Sequence, residues 1–179
     1  SHAQAVGLFM QGKQGISVCG VGGKSTTSAM IATILTTANR HPSYAVGVGN
    51  IPFLGTPGKY DTKGQDFVAE ADEYFASPGI DDTPKFMYQT PNTIVVTNIN
   101  YDHPDVYPHL AATKQAYLEF FSKLPPQGTL IACADNPDTI EVAKKSAKNL
   151  ITYGTHPQAT FKLTSFHIAN QKALFQIEY

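Results

Sequence analysis

The chain has 179 residues, enough for one ordinary domain, and its hydrophobic content of 42% can fill a sizeable core. Thirteen Lys and Arg residues against fourteen Asp and Glu residues leave a formal charge of −1, so we expect no nucleic-acid partner. No apolar stretch approaches the roughly 20 residues of a membrane span, and we expect no membrane partner.

The two cysteines, Cys19 and Cys133, lie in apolar runs rather than at a paired spacing. This placement of the cysteines argues against a disulfide framework and against a zinc knuckle. It favours a reducing compartment, and we expect a cytoplasmic protein. The charged fraction of 15% is below the usual level of about 25%. Because the sequence also stops inside a strand-like apolar run, we expect it to be part of a longer polypeptide.

Strand-like apolar runs and helical periods alternate along most of the chain. The predicted elements are a short helix ending near residue 12, a strand at 16–19, a helix at 24–38, a short strand near 44–48, strands at 67–69 and 93–97, a helix at 110–124, a strand at 129–133, a helix at 138–148 and a strand at 150–153. The apolar stripe of the second helix is formed by Ala29, Met30, Ile31, Ile34 and Leu35.

This alternation predicts an α/β fold with three αβα layers around a mostly parallel sheet. The segment 93–97 is nearly all β-branched, as is typical of a central strand that is covered on both faces. Residues 155–179 differ, since strands at 160–165 and 173–179 flank a turn at 170–172. We therefore expect one domain over residues 1–179, with 155–179 as a small β-hairpin extension.

A glycine-rich run, GVGGKSTT at 20–27, lies between the first strand and the second helix. Glycines let successive N–H groups point at phosphate oxygens, and the helix N-terminus adds positive potential. The run is a shorter form of the phosphate loop of P-loop proteins, because Val18 occupies the place of the first glycine. A plain turn with an N-capping hydroxyl is the alternative. The candidate nucleotide-binding residues here are Gly20, Gly22, Gly23, Lys24, Ser25 and Thr26.

Acidic residues follow the strand at 67–69, where Glu70, Asp72 and Glu73 occur within four positions. The carboxyl end of a parallel strand lies at the edge where the phosphate loop also opens. Carboxylate oxygens are ligands that Mg²⁺ prefers, so Glu70 is a candidate metal ligand, with Asp72 and Glu73 as neighbours that support it or contact substrate. Taken alone, this cluster is also typical of a solvated turn.

A third polar segment, from 97 to 105, follows the β-branched strand and reaches the same edge. It contains Asn98, a candidate nucleotide contact, and the run Asp102, His103, Pro104, Asp105. An imidazole between two acids is suited to holding a second cation or to facing a phosphate. A surface or capping histidine is the alternative. The three segments together favour a Mg·ATP site.

These three motifs, in this order, resemble the central ATPase domain of the Mur ligases over most of residues 7–154. The resemblance implies that Lys24 binds the β- and γ-phosphates of ATP, that Ser25 and Glu70 hold one Mg²⁺, and that His103 helps to place a second. It also implies an ADP-forming ligase of peptidoglycan synthesis, with Lys24, Glu70 and His103 as its catalytic residues. In that family a carboxylate is phosphorylated and an amine then displaces the phosphate.

The branch that the sequence most resembles joins L-alanine to UDP-N-acetylmuramate, and a branch that recycles murein peptides onto the same sugar nucleotide is nearly as similar. Val21 and Gly22 replace a Thr and a His of the family loop, and Tyr74 favours the recycling branch. Leu118 falls where other branches carry a modified lysine. A folylpolyglutamate-synthetase-like ligase, a regulatory phosphate-loop protein and a structural domain without nucleotide remain alternatives.

The UDP-sugar and amine-binding domains of the family have no counterpart within these residues. We expect them to flank this segment in the same polypeptide, and we expect the isolated segment to bind Mg·ATP weakly without ligating.

Overall fold

The computed structural model describes residues 1–146 and 149–179, and within them a nine-stranded sheet is flanked by helices. The elements in chain order are α1 (His2–Met10), β1 (Gln14–Cys19), α2 (Lys24–Thr37), β2 (Ser43–Ala45), β3 (Gly58–Lys59), β4 (Asp66–Glu70), β5 (Phe75–Ser77), β6 (Asp81–Pro84), a short 3-10 helix (Lys85–Tyr88), β7 (Pro91–Val96), α3 (Leu110–Phe121), β8 (Thr129–Cys133), α4 (Pro137–Ser146), β9 (Leu150–Gly154), β10 (Phe161–Ala169) and β11 (Lys172–Glu178).

The sheet has the strand order β11-β10-β9-β8-β7-β1-β4-β2-β3. Within this sheet, neighbouring strands pair parallel from β2 through β4, β1, β7, β8 and β9 to β10. The pairs at its two edges, β2–β3 and β10–β11, are antiparallel. The α/β class with a mostly parallel sheet is therefore confirmed. Because β4, β1 and β7 are adjacent and parallel, the segments that follow them open at one edge of the sheet.

Helices cover both faces of the sheet, as the alternation of side chains along β4 shows. Val68 packs into an apolar cluster with residues of α2, whereas its neighbours Phe67 and Ala69 pack with Met10 of α1. Successive residues of a strand point to opposite faces, so α1 and α2 lie on opposite sides of β4. A larger cluster joins α3 and α4 to β7 and β8.

The buried face of α2 differs from the expected apolar stripe. Met30 is 58% exposed and Ile34 is 61% exposed, so the expectation that these two residues face the core is wrong. The fully buried positions are Ser28 and Ala32, one helical turn apart, and Leu35 packs beside them. Small side chains let the helix lie close to the sheet, which rotates the contact face away from Met30 and Ile34.

The region between β2 and β7 contains structure that sequence patterns did not predict. The strand expected near 44–48 is shorter, because the chain bends at residues 47–49, where the amide of Val48 donates to the carbonyl of Val46 at 2.9 Å. β5 and β6 form a separate antiparallel pair, followed by the 3-10 helix. These strands have three and four residues and no alternating pattern, so periodicity carries no signal for them.

The C-terminal hairpin is present and is longer than expected. β10 and β11 pair antiparallel around Asn170 and Gln171, whose φ angles of 50° and 61° are typical of a tight two-residue hairpin turn. The helix expected at 138–148 is described to Ser146, and its last two predicted positions lie outside the described residues. Over the residues that the structure covers, no helix has the length and apolarity to cross a bilayer.

The packing of α1 on the 3-10 helix depends on a glycine and gives a first prediction. A Cβ on Gly7 would overlap the carbonyl oxygen of Tyr88, which belongs to the backbone. We expect Gly7→Ala to lower the free energy of unfolding by about 1–2 kcal/mol, because overpacking outweighs the ~1 kcal/mol helix-propensity gain of alanine. Urea denaturation measures the change. Gly49→Ala is the control, since its Cβ meets no atom within 4 Å; equal stability of the two variants would contradict the prediction.

Candidate nucleotide-binding site

The phosphate loop joins β1 to α2 with two glycines in the left-handed half of conformational space. Gly20 has φ +125°, and a Cβ there would overlap the Thr97 hydroxyl group. Gly23 has φ +84° and caps α2 without any side-chain hydrogen bond to the helix. Within the described part of the chain, the amides of residues 23–26 donate no hydrogen bond. The N-terminus of α2 therefore presents four free N–H groups, the arrangement that binds phosphate.

Thr97 and Asn98, which follow β7, hold the loop from the side. The Thr97 hydroxyl donates to the carbonyl of Gly22 at 2.6 Å, and the Asn98 amide donates to the same oxygen at 2.9 Å. Asn98 also accepts the amide hydrogen of Gly22 through Oδ1 at 3.1 Å, and its carbonyl accepts that of Val21 at 3.1 Å. The side chain of Asn98 thus contacts the loop backbone, and its expected contact with nucleotide stays a prediction.

Ser25 and Glu70, the residues expected to hold a metal ion together, are neighbours. The Ser25 hydroxyl donates to Glu70 Oε1 at 3.0 Å, and the amide of Gly47 donates to Oε2 at 2.8 Å. Gln89 fixes the backbone at this point, since its amide donates to the Glu70 carbonyl at 2.9 Å. A hydroxyl oxygen and a carboxylate oxygen side by side fit the preference of Mg²⁺ for hard oxygen ligands.

Glu73 lies between the other two candidate residues. Its carboxylate accepts hydrogen bonds from Lys24 Nζ at 3.0 and 3.3 Å, and its Oε1 is 3.7 Å from His103 Nε2. The side chain of Glu73 is 1% exposed and that of Lys24 is 13% exposed. The structure therefore brings Lys24 and His103 together through Glu73, while Thr26 stays exposed in the first turn of α2 away from this contact.

The central place of Glu73 was not predicted, although the sequence contains a signal for it. Ala69, Ala71 and Glu73 are buried, whereas Glu70, Asp72 and Tyr74 between and after them are partly exposed. The period of two that marks β4 therefore continues for three residues beyond its end. Extending the strand pattern would have placed Glu73 on the inner side.

His103 belongs to a second possible cation site. Glu73, Asp102 and His103 each offer one ligand atom, and the three atoms lie within 4.8 Å of one another. Asp102 Oδ2 is 3.8 Å from the imidazole Nε2. One imidazole with two carboxylates is a donor set that divalent cations accept. The residues present therefore fit a cation near His103 as well as one near Ser25 and Glu70.

The charges around the site are mostly paired. Burial alone would raise the pKa of Asp72, but the hydrogen bond and charge of Lys85, 2.7 Å away, outweigh it and hold that pKa below its usual value. Burial raises the pKa of the Cys19 thiol, and the nearby Glu73 carboxylate raises it further. Cys19 therefore stays protonated and packs as a small apolar residue.

A cavity of about 370 Å³ is lined in part by Glu70, the residue that also accepts the hydrogen bond of Ser25. Its apolar wall includes Val6 and Val46, and its polar end includes Glu70, Asp72 and Lys85. Glu70 thus borders both the phosphate loop and this cavity. A group that enters the cavity can therefore reach the carboxylate that Ser25 contacts.

The chain belongs to the Mur ligase middle domain family, whose model matches residues 18–178. The chain is 35% identical over 174 residues to a UDP-N-acetylmuramate–L-alanine ligase of Geobacter sp. (strain M21). That match covers 97% of this chain and 36% of the relative, so the chain spans about a third of the length of the curated relatives it matches.

Two solved structures have the same fold. The UDP-N-acetylmuramate:L-alanyl-gamma-D-glutamyl-meso-diaminopimelate ligase from Neisseria meningitides superposes with a TM-score of 0.81 at 20% identity, covering 96% of this chain and 57% of that one. The MurF ligase from Thermotoga maritima, solved in complex with ADP, gives a TM-score of 0.72 at 16% identity, covering 99% of this chain and 42% of that one. The resemblance drawn from the three motifs is therefore confirmed at the level of family and fold.

The buried pair of Lys24 and Glu73 gives a second prediction. We expect Lys24→Met and Glu73→Gln each to lower the free energy of unfolding by about 3 kcal/mol, because each leaves its partner buried and uncompensated. We expect the double variant to lose clearly less than the sum of the single variants. Urea unfolding of the four proteins measures this coupling.

Glu178→Gln is the control for that cycle, since Glu178 forms an exposed pair with Lys162 at 3.7 Å. Its effect should stay below about 1 kcal/mol. Additive losses from Lys24→Met and Glu73→Gln would show that the two charges do not depend on each other.

Proposed function

We propose that this chain is the ATP-binding middle domain of an ADP-forming amide-bond ligase of peptidoglycan synthesis, and that the complete protein joins L-alanine to UDP-N-acetylmuramate. The observation that carries the proposal is the meeting of Lys24, Glu73 and His103 beside four free amides at the start of α2. The names of the relatives at about 35% identity support the choice of substrates. The two free cysteines are consistent with a cytoplasmic location, which we also propose.

The nucleotide would bind through its phosphates at the loop. The free amides of residues 23–26 would donate to phosphate oxygens, and Gly20, Gly22 and Gly23 would let the backbone approach them. Lys24 would exchange one anionic partner for another, since the phosphates would take the place that Glu73 occupies at 3.0 Å. The ADP bound to the MurF ligase of Thermotoga maritima supports the choice of nucleotide.

Ser25 and Glu70 would hold Mg²⁺, and His103 would hold a second divalent cation together with Glu73 and Asp102. When bound, these cations neutralise negative charge on the transferring phosphoryl group. The chain itself holds a ligand atom for the cation in place, because Gly47 and Gln89 orient Glu70 before any ligand binds. Such preorganisation is what electrostatic stabilisation of a transition state requires.

The acid substrate would approach from the cavity next to Glu70. Its carboxylate oxygen would attack the γ-phosphorus and release ADP, and the amine would then attack the acyl carbon and release phosphate. Apolar residues such as Val6 and Val46 would contact the aliphatic part of the substrate and exclude water from the acyl-phosphate that this attack produces. Lys85 would supply positive charge at the polar end of the cavity.

A peptide acceptor is the second candidate, and the residue that favours it is Tyr74, at which the sequence departs from the alanine-adding branch toward the recycling branch. The superposition on the Neisseria ligase, at 20% identity, shows the fold alone and does not bear on the acceptor. The names of the relatives at about 35% identity support L-alanine, which we therefore propose first. A purely regulatory nucleotide-binding domain needs no cation site at His103, which counts against it.

A third prediction tests nucleotide binding directly. We expect Lys24→Ala to weaken Mg·ATP binding about 10- to 100-fold, because a hydrogen bond to a charged group contributes about 1.5–3 kcal/mol. Isothermal titration of this chain with Mg·ATP measures the affinity. Lys63→Ala, at an exposed position, is the matched control and should bind like the unaltered chain. Equal absence of binding in the unaltered chain and in Lys24→Ala would favour a structural domain instead.

A fourth prediction concerns catalysis by this segment. We expect the 179-residue chain to bind Mg·ATP but not to form UDP-N-acetylmuramoyl-L-alanine, because closure around the substrates requires the flanking domains of the complete protein. Chromatography of reactions with ATP, UDP-N-acetylmuramate and L-alanine detects the product. Product formation by this chain at the rate of the complete ligase would contradict the prediction.

A further inference from the structure

Two consecutive residues, Glu73 and Tyr74, contact the loop that carries His103 at four points. The Tyr107 hydroxyl donates to the Glu73 carbonyl at 2.6 Å, and the Tyr74 hydroxyl donates to Asp105 Oδ2 at 2.6 Å. The ring of Tyr74 lies edge-on to the His103 imidazole, with 4.9 Å between centroids and 62° between planes. The fourth contact is the 3.7 Å approach of Glu73 to the same imidazole. In the loop between β7 and α3, these contacts thus hold the stretch from His103 to Tyr107.

The backbone of His103 is strained and is fixed by main-chain contacts. Its φ angle of +54° is unusual for a residue with a side chain and costs about 1–2 kcal/mol. Its amide donates to Asp102 Oδ1 at 2.8 Å, and its carbonyl accepts the amides of Val106 and Tyr107 at 2.9 and 2.8 Å. These bonds fix the Cα–Cβ direction of His103 but leave rotation about the side-chain bonds free.

The imidazole of His103 therefore depends on its neighbours for orientation, because its side chain is 31% exposed. Glu73 and Asp102 approach Nε2 at 3.7 and 3.8 Å, which is longer than a hydrogen bond. Tyr74 is the aromatic ring packed against it, and Tyr74 is itself tied to the same loop through Asp105. An edge-to-face contact of this kind fixes the relative orientation of two rings.

We propose that Tyr74 is a positioning residue for His103: its ring fixes the orientation of the imidazole, and its hydroxyl keeps the ring in place through Asp105. This inference rests on the proposed function, since it gives His103 a defined direction toward Glu73 and the cation they would share. Residues that orient a ligating histidine affect cation affinity and rate without touching substrate. Lys85, whose ammonium lies 5.4 Å from the centroid of the Tyr74 ring and whose amide donates to the Tyr74 carbonyl, adds a contact to the same residue.

The fifth prediction compares three variants of the complete ligase. Tyr74→Leu removes both ring and hydroxyl, and we expect the Mg²⁺ concentration for half-maximal rate to rise about 10-fold or more, with the KM for ATP nearly unchanged. Tyr74→Phe keeps the ring but loses the bond to Asp105, and its effect should be smaller. Tyr101→Leu is the matched control, because Tyr101 lies in the same loop and, among residues 1–146 and 149–179, its hydroxyl has one hydrogen-bond partner, the Pro108 carbonyl at 3.4 Å.

A second measurement separates orientation from general stability. In protein labelled with [15N]histidine, the imidazole signals of His103 should shift and broaden in Tyr74→Leu, change less in Tyr74→Phe and stay unchanged in Tyr101→Leu, all without nucleotide. Lower thermal stability of Tyr74→Leu with an unchanged magnesium dependence and an unchanged His103 spectrum would overturn the proposal. The spectrum is recorded without ligand and therefore tests the orientation of His103 independently of nucleotide binding. Failure of the unaltered protein to bind Mg·ATP would instead count against the proposed function.

Discussion

The site depends on one buried carboxylate, that of Glu73. An ionised carboxylate that is 1% exposed is costly unless positive charge lies beside it, and Lys24 supplies that charge at 3.0 Å. The pair ties the phosphate loop to the segment after β4, and the approach of His103 to the same carboxylate ties in the segment after β7. The charge of Glu73 therefore holds the phosphate loop against the segment after β4 without any ligand, and the hydrogen bond from Tyr107 to the Glu73 carbonyl keeps the segment after β7 beside them.

This contact has a direct consequence for how the loop would receive a triphosphate. Lys24 is already desolvated and oriented by an anion, so binding of phosphate replaces one anionic partner with another and requires little new burial of charge. Glu73 would then need a new positive partner, and the nearest candidate position is the cluster it forms with Asp102 and His103. Under the proposed function, binding of nucleotide and of cation would thus be coupled through Glu73 by electrostatics, since leaving that buried carboxylate unpaired would cost several kcal/mol.

Local patterns in the sequence were sufficient for those features that depend on local chemistry. The glycine-rich run, the strand before it and the helix after it predicted the phosphate loop, and the parallel order of strands placed Ser25 next to Glu70. The exposure of Met30 and Ile34 was not predictable, because it depends on how closely α2 approaches the sheet through Ser28 and Ala32. The short strands β5 and β6 carry no periodic signal, so the position of Tyr74 relative to His103 became visible only in three dimensions.

The backbone of the phosphate loop is supported by residues outside the loop. Val21 and Gly22 have no side-chain group that forms hydrogen bonds, so they cannot brace the backbone between Gly20 and Gly23 themselves. Thr97 and Asn98 brace it instead, with bonds of 2.6 to 3.1 Å to Gly22. Because Asn98 uses the amides of Val21 and Gly22, the donors left for phosphate are those of residues 23–26. The loop is therefore supported on the side of β7 and open at the start of α2, toward the side on which Lys24 and Ser25 lie.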